Sequence, residues 1–302
     1  MDQAEQLRNV IKRQNQRNVP DLVPTPNAQA KARVITVTSG KGGVGKSNVA
    51  VNIAVQLRRM GKQVIIFDAD LGLANIEVMF GTVPQYNLSD MIYRGKNIRD
   101  IISQGPMDIG FISGGSGIVS LNNLTNDQIA FLIRNLADLD QIADYIIIDT
   151  GAGISDRVLE FVIKSPEVLV ITTQEPSSLT DSYSLLKALH RNPNFSKKDV
   201  RVRVIANKVH SEEHGRIIFD KLESVVKRFL NGNIEYLGMV PEDSMLDQAV
   251  LQQSPVSIYK PNAKSTKAFE EITERIVQDI PVNATVPKRG ILQLFSNLMR
   301  KR

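Results

Sequence analysis

Eight consecutive residues, Gly40-Lys41-Gly42-Gly43-Val44-Gly45-Lys46-Ser47, could do chemistry together. Glycines let the backbone curl through positive φ, so that successive N–H groups point into one concavity. Such a nest, set before a helix N-terminus, is a cradle for phosphate. The spacing fits G-x-x-x-x-G-K-[ST] at every fixed position. In that pattern Lys46 reaches the β- and γ-phosphates of a nucleotide and the Ser47 hydroxyl ligates Mg²⁺. Carboxylates follow at two other places. Phe67-Asp68-Ala69-Asp70-Leu71-Gly72 carries a pair after an apolar run, and Ile146-Ile147-Ile148-Asp149-Thr150-Gly151-Ala152-Gly153 carries a single acid after another. An acid just past a buried strand is where NTPases hold Mg²⁺, directly or through its water, which is the role expected of Asp149. Of Asp68 and Asp70, one can support the cation while the other faces the attacking water. An ordinary aspartate has a pKa of about 4, so its part at neutral pH is to position water rather than to deprotonate it.

These residues need elements to hold them. Val34-Ile35-Thr36-Val37-Thr38 before the glycine loop is β-branched, and Ser47 to Met60 behind it has helical periodicity. Further apolar runs at Val64–Phe67, Ile109–Ile112, Tyr145–Ile148, Val168–Thr172, Val202–Ala206 and Tyr236–Val240 alternate with helix-length segments. The best helical segments are Thr125–Asp140, Ile154–Lys164, Ser178–Arg191, Glu212–Leu230 and Lys264–Asp279. Near-continuous apolar strands are buried on both faces. The fold class expected is therefore α/β: one P-loop NTPase domain over residues 31–280, a mostly parallel sheet between helix layers. Open sheets of this kind bind ligands at the strands' C-terminal edge, where all the acids fall. Val204-Ile205-Ala206-Asn207-Lys208 ends a strand at that edge. Asn207 offers a donor and an acceptor to a purine; the alternative is a turn or helix-cap residue. Gly114-Gly115-Ser116-Gly117 is a second glycine-rich loop. It lacks a following Lys-Ser and reads as a surface connection.

The chain has 302 residues, 42% of them apolar, enough for one large domain with tails. It has no cysteine, which excludes disulfides and thiolate metal sites, and its three histidines lack zinc spacing. A formal charge of +5 suits phosphate, anionic lipid or nucleic acid without choosing among them. No run reaches transmembrane length and residues 1–18 lack the apolar core of a signal peptide, so a cytoplasmic protein is expected. Two amphipathic segments flank the domain. Residues 1–18 place Ala4, Leu7, Val10 and Ile11 on one face, followed by a proline-rich linker at 19–30. After a linker at 281–287, residues 288–302 gather Ile291, Leu292, Leu294, Phe295, Leu298 and Met299 on a face about 160° wide, with basic residues at both ends. That tail suits an in-plane helix on anionic membrane lipid, or a helix folded back onto the core.

The glycine loop also carries a lysine that phosphate binding does not require. The pattern K-G-G-x-G-K-[ST] resembles the deviant Walker A box of the MinD/ParA family of dimerising ATPases. The resemblance implies ATP and ADP as ligands with Mg²⁺, and a homodimer in which Lys41 reaches the partner's phosphates while Lys46 serves its own. It assigns Asp70, in D-x-D-x-G, to the hydrolytic water and Asp68 to the Mg²⁺ side, beside Ser47 and Asp149. It gives Asn207 the adenine edge, and Pro241 and Glu242 the flank of base and sugar. There is no aspartate placed as in N-K-x-D, since the chain reads Asn207-Lys208-Val209-His210. Two departures stand out: Asn48 replaces the usual Thr after the Mg²⁺ ligand, and Gly151 replaces a usual proline.

Asp2-Gln3-Ala4-Glu5-Gln6-Leu7-Arg8 matches the D-Q-A-x-x-L-R element of the FlhG-type branch, the MinD-like regulators of flagellar number and placement. The match implies docking through Asp2, Gln3, Ala4, Leu7 and Arg8 to an FlhF-type GTPase related to the signal recognition particle, and a link to flagellar switch-ring (C-ring) proteins. MinD-like proteins also carry a C-terminal membrane-targeting helix, which favours the lipid reading of the tail. The expectation is a slow ATPase switch at the inner face of a bacterial membrane, DNA not being its partner. The alternatives are a ParA-like DNA-partitioning ATPase and a MinD-like division-site regulator.

Overall fold

The computed structural model describes residues 32–70, 75–114 and 125–278. The proposed docking residues Asp2, Gln3, Ala4, Leu7 and Arg8 lie outside these. So do the tail residues Ile291, Leu292, Leu294, Phe295, Leu298 and Met299, and Gly115 to Gly117 of the second glycine loop.

Among the described residues eight strands form one sheet: β1 Arg33–Thr38, β2 Val64–Ala69, β3 Ser103–Gln104, β4 Gly110–Ser113, β5 Tyr145–Thr150, β6 Glu167–Thr173, β7 Arg201–Val209 and β8 Glu235–Pro241. Their order is β3-β4-β2-β5-β1-β6-β7-β8. Every pairing is parallel except that of β3 with β4. The seven strands expected from apolar runs are all present. β3 adds an antiparallel edge of two residues, too short to leave a periodic signal.

Among the described residues ten α-helices surround the sheet: α1 Lys46–Arg59, α2 Asn75–Phe80, α3 Leu88–Arg94, α4 Asn126–Ile142, α5 Asp156–Lys164, α6 Pro176–Arg191, α7 Glu212–Leu230, α8 Ser244–Leu251, α9 Val256–Tyr259 and α10 Lys264–Gln278. The long helices begin where the sequence supplies a cap. Thr125 and Gln128 exchange bonds in a capping box before α4, and the Ser211 hydroxyl accepts the His214 N–H before α7. Helices α2, α3, α8 and α9 have eight residues or fewer, below the length at which periodicity separates a helix from a loop. Among the described residues no helix is long and apolar enough to cross a membrane.

Strand residues alternate between two cores. Ile35, Val37, Ile66, Ile147, Leu169, Ile171 and Leu237 meet Val49, Ile53 and Leu57 of α1 and Phe269, Ile272 and Ile276 of α10. On the opposite face Phe67, Ile146 and Ile148 meet α3 and α4, while Val168, Val170, Val202 and Val204 meet α5, α6 and α7. The parallel order brings the C-terminal ends of β1, β2, β5, β6, β7 and β8 to a common edge. All the residues singled out for chemistry within the described domain gather there.

Candidate functional site: a phosphate loop between two acidic strand ends

The glycine loop joins β1 to α1. Gly43 has φ 75° and Gly45 φ 92°, left-handed conformations that a side chain would resist. Gly45 is the residue immediately before α1, and the Lys46 and Ser47 that follow open the helix, so its free N–H groups face the concavity. Lys46 is 8% exposed, a buried cation at a helix N-terminus, where an anion is the natural companion. Val44 is buried and seats the loop in the core. Asn48 lies in the first turn, its carbonyl accepting from Asn52 Nδ2 at 2.8 Å. Gly40 passes against α6 so closely that a Cβ there would lie 2.1 Å from the Asp181 backbone.

Asp68 and Asp149 are neighbours in register on β2 and β5. Burial, with Asp149 alongside, pushes the Asp68 carboxyl up to about 8, against two backbone donors, Asp70 N–H at 3.1 Å and Ile76 N–H at 3.2 Å. Burial also lifts Asp149 to about 6, opposed by the Ser47 hydroxyl and the Lys46 ammonium beside it. Neither Asp149 oxygen completes a hydrogen bond, although both are buried. A buried, unsatisfied carboxylate beside the loop serine fits a cation. Mg²⁺ is usually bound by one or two carboxylates, keeping water and phosphate oxygens as its other ligands. Among the described residues no group of three or more His, Cys, Asp or Glu that could hold a metal converges. Ser47 and Asp149, backed by Asp68, are the groups that would hold the ion.

Asp70 lies one residue beyond β2 and is less buried than Asp68. Its Oδ2 accepts from Asn75 Nδ2 at 3.3 Å. It also faces the loop after β5: a Cβ built on Gly151 would lie 3.7 Å from the Asp70 carboxyl carbon. The two acidic loops thus touch, and the second is pinned to the first strand. Gly153 N–H donates to Ser39 O at 2.9 Å and Thr150 Oγ1 to Val37 O at 3.1 Å.

Lys41 lies within its own chain's reach. Its ammonium donates to Glu175 Oε2 at 2.6 Å and Ser177 Oγ at 2.8 Å, at the start of α6. The hydrogen bond and charge of Lys41 hold the Glu175 carboxyl below its ordinary range. Sequence reasoning missed this pair. The signal was Gln174-Glu175-Pro176-Ser177, a polar turn with proline at a helix start just beyond β6.

Asn207 is buried, and its Nδ2 donates to Val44 O at 2.7 Å. The amide that could read a purine is therefore also a strut for the glycine loop. Lys208, likewise missed from sequence, donates to Gly43 O at 3.2 Å. Pro241 closes β8. Glu242 is exposed, its N–H donating to Val209 O at 3.0 Å and its carboxylate 3.7 Å from His210 Nδ1.

Comparison with known proteins agrees with this geometry. A family model described as ParA, NUBPL iron-transfer P-loop NTPase matches residues 30–277. The iron chemistry in that description would find no thiolate here, since the chain has no cysteine. The antiactivator FleN of Pseudomonas aeruginosa is 39% identical over 264 residues, 87% of this chain and 91% of that one. The flagellum site-determining protein YlxH of Helicobacter pylori is 30% identical over 301 residues, 99% of this chain and 98% of its own. Among solved structures, the septum site-determining protein MinD of Pyrococcus horikoshii, complexed with Mg-ADP, superposes with a TM-score of 0.65. It is 24% identical, with 84% of this chain and 99% of that one covered, a likeness of fold.

Proposed function

Since the chain belongs to the ParA/MinD family of P-loop NTPases, we propose that it is an ATP-driven dimerising switch of the FlhG and FleN type, regulating the number and placement of flagella. The observation that carries this reading is the pair of lysines in one loop. Lys46 is buried at the helix start, where it serves its own nucleotide. Lys41 is at the rim, held only by exposed side chains from which it can be released. The YlxH relative, a flagellum site-determining protein, adds the flagellar context.

The residues divide the work as follows. Backbone N–H groups of Gly42 to Ser47 bind the phosphates and Lys46 neutralises them. Ser47, Asp149 and Asp68 hold Mg²⁺, which when bound balances charge on the β- and γ-phosphates. Asp70 orients the attacking water, and Lys41 crosses to the partner's nucleotide and makes hydrolysis depend on the dimer. Asn207, Pro241 and Glu242 flank adenine and ribose. Turnover is slow, the nucleotide acting as a timer. The dimer presents two amphipathic tails (Ile291, Leu292, Leu294, Phe295, Leu298 and Met299 in each), so that weak lipid binding by one becomes firm binding by two. The N-terminal Asp2, Gln3, Ala4, Leu7 and Arg8 engage the FlhF-type GTPase and stimulate it. C-ring proteins are the further cargo, at the inner face of a bacterial membrane.

Light scattering of the purified chain tests the switch. Wild type is expected to be a monomer in ADP, and Asp70→Ala, in which turnover is blocked, a dimer in ATP. Adding Lys41→Ala to that variant should restore the monomer while leaving ADP binding within about twofold. A monomer under all nucleotides would remove the dimer reading.

A further inference from the structure

The concave face of a phosphate loop is made of N–H groups, so its carbonyls must turn outward, where something has to meet them. In a trans peptide the carbonyl of one residue and the N–H of the next point in opposite directions. No cis bond occurs among the described residues. Fixing an outward carbonyl therefore fixes the following N–H. Three such carbonyls are held by side chains here. Ser39 Oγ donates to Lys41 O at 2.7 Å, Asn207 Nδ2 to Val44 O at 2.7 Å and Lys208 Nζ to Gly43 O at 3.2 Å. They set the N–H groups of Gly42, Gly45 and Val44 respectively.

Two of these struts come from adjacent residues of β7, which a regular strand forbids, because neighbouring side chains leave on opposite faces. The strand solves this with a defect. Its register against β8 shifts between Asn207 and Val209, and Lys208 itself has φ 56°, left-handed for a residue with a side chain. Bulges of this kind re-aim a side chain beside functional sites. The exposed lysine thus turns to the same loop as the buried asparagine. The Lys208 charge also contributes to lowering the Glu175 carboxyl, less than the hydrogen bond and charge of Lys41 do.

From this geometry we infer that Lys208 is a positioning residue for nucleotide binding. It holds the Gly43–Val44 peptide with its N–H toward the phosphates. It touches the loop, not the reacting atoms, so its loss weakens phosphate binding more than turnover. This rests on the nucleotide reading above but not on dimerisation, lipid or flagellar partners.

The test uses the full chain with fluorescent mant-ADP, which reads the monomer alone. Lys208→Met is expected to raise the Kd for mant-ADP roughly three- to tenfold, chiefly through faster release, the range one hydrogen bond commands. KM for ATP should rise with it, kcat falling less. Lys208→Arg, which keeps the donor and charge, should recover most of the affinity, and the nucleotide-free melting temperature of both variants should match wild type. Release within twofold of wild type in Lys208→Met would overturn the assignment. So would an affinity loss in Lys208→Met matched by an equal fall in nucleotide-free stability, which marks a merely structural lysine. A wild-type chain that fails to bind mant-ADP would instead overturn the nucleotide reading beneath it.

Discussion

A methyl group on Gly40 would lie 2.1 Å from the carbonyl carbon and oxygen of Asp181, both of them helix backbone. Neither can step aside as a side chain could, so the loop or α6 must move. Gly40→Ala is expected to cost about 1–3 kcal/mol of stability, the usual range for overpacking, and to weaken ADP binding more than tenfold. Urea denaturation and nucleotide titration check both. The acids make a prediction of opposite character. Asp68 is raised to about 8 in the fold, against about 4 unfolded. Between those values the native state holds more protons than the unfolded one, so stability falls as pH rises through the window. In EDTA and without nucleotide, melting temperature should fall from pH 6 to pH 8.5, and Asp68→Asn should flatten that slope. A steeper slope in the variant would contradict the assignment. At this scale the sequence was legible wherever a spacing rule applies: the loop, Asp68 with Asp70, and Asp149. Glu175 and Lys208 were not. Their partners lie 134 and 165 positions away, and no local pattern records such a contact.

Among the elements, β1, β6 and β7 are laced by charge at their N-terminal ends, far along the strands from the phosphate loop. Glu167 accepts from Arg33 Nη2 at 2.7 Å and from Arg203 Nη1 at 3.0 Å. Glu167 is 5% and Arg203 2% exposed. The carboxylate is the centre that both guanidinium groups share. Removing the shared carboxylate takes this partner from both guanidinium groups, while Arg203 keeps Glu235 Oε2 at 4.0 Å, so Glu167→Ala should destabilise the chain by about 3 kcal/mol, the low end of the range for a broken buried pair, measured by chemical denaturation. A loss below about 1 kcal/mol would show that the charges are solvated as on a surface. Strand and long-helix positions followed from apolar runs and caps, because burial on both faces writes near-continuous hydrophobic stretches. The antiparallel β3 and the short α2, α3, α8 and α9 did not, since their placement comes from packing rather than from periodicity. The bulge in β7 was equally silent: Asn207-Lys208-Val209 contains no glycine to announce a left-handed residue.

For the whole molecule, the proposed switch depends on one coupling: ATP joins two chains, and two joined chains hold a membrane that one cannot. On the side of the first half, the parallel sheet gathers Lys41, Lys46, Asp70 and Asp149 at one edge. The second half rests on the amphipathic residues from Ile291 to Met299, read from their sequence pattern. The direct measurement is co-sedimentation with anionic liposomes, in ATP and in ADP, for wild type and Asp70→Ala. Binding is expected in ATP and little in ADP, with the largest bound fraction for Asp70→Ala in ATP, where hydrolysis no longer dissolves the dimer. Equal sedimentation in both nucleotides, or none in either, would contradict the proposed coupling.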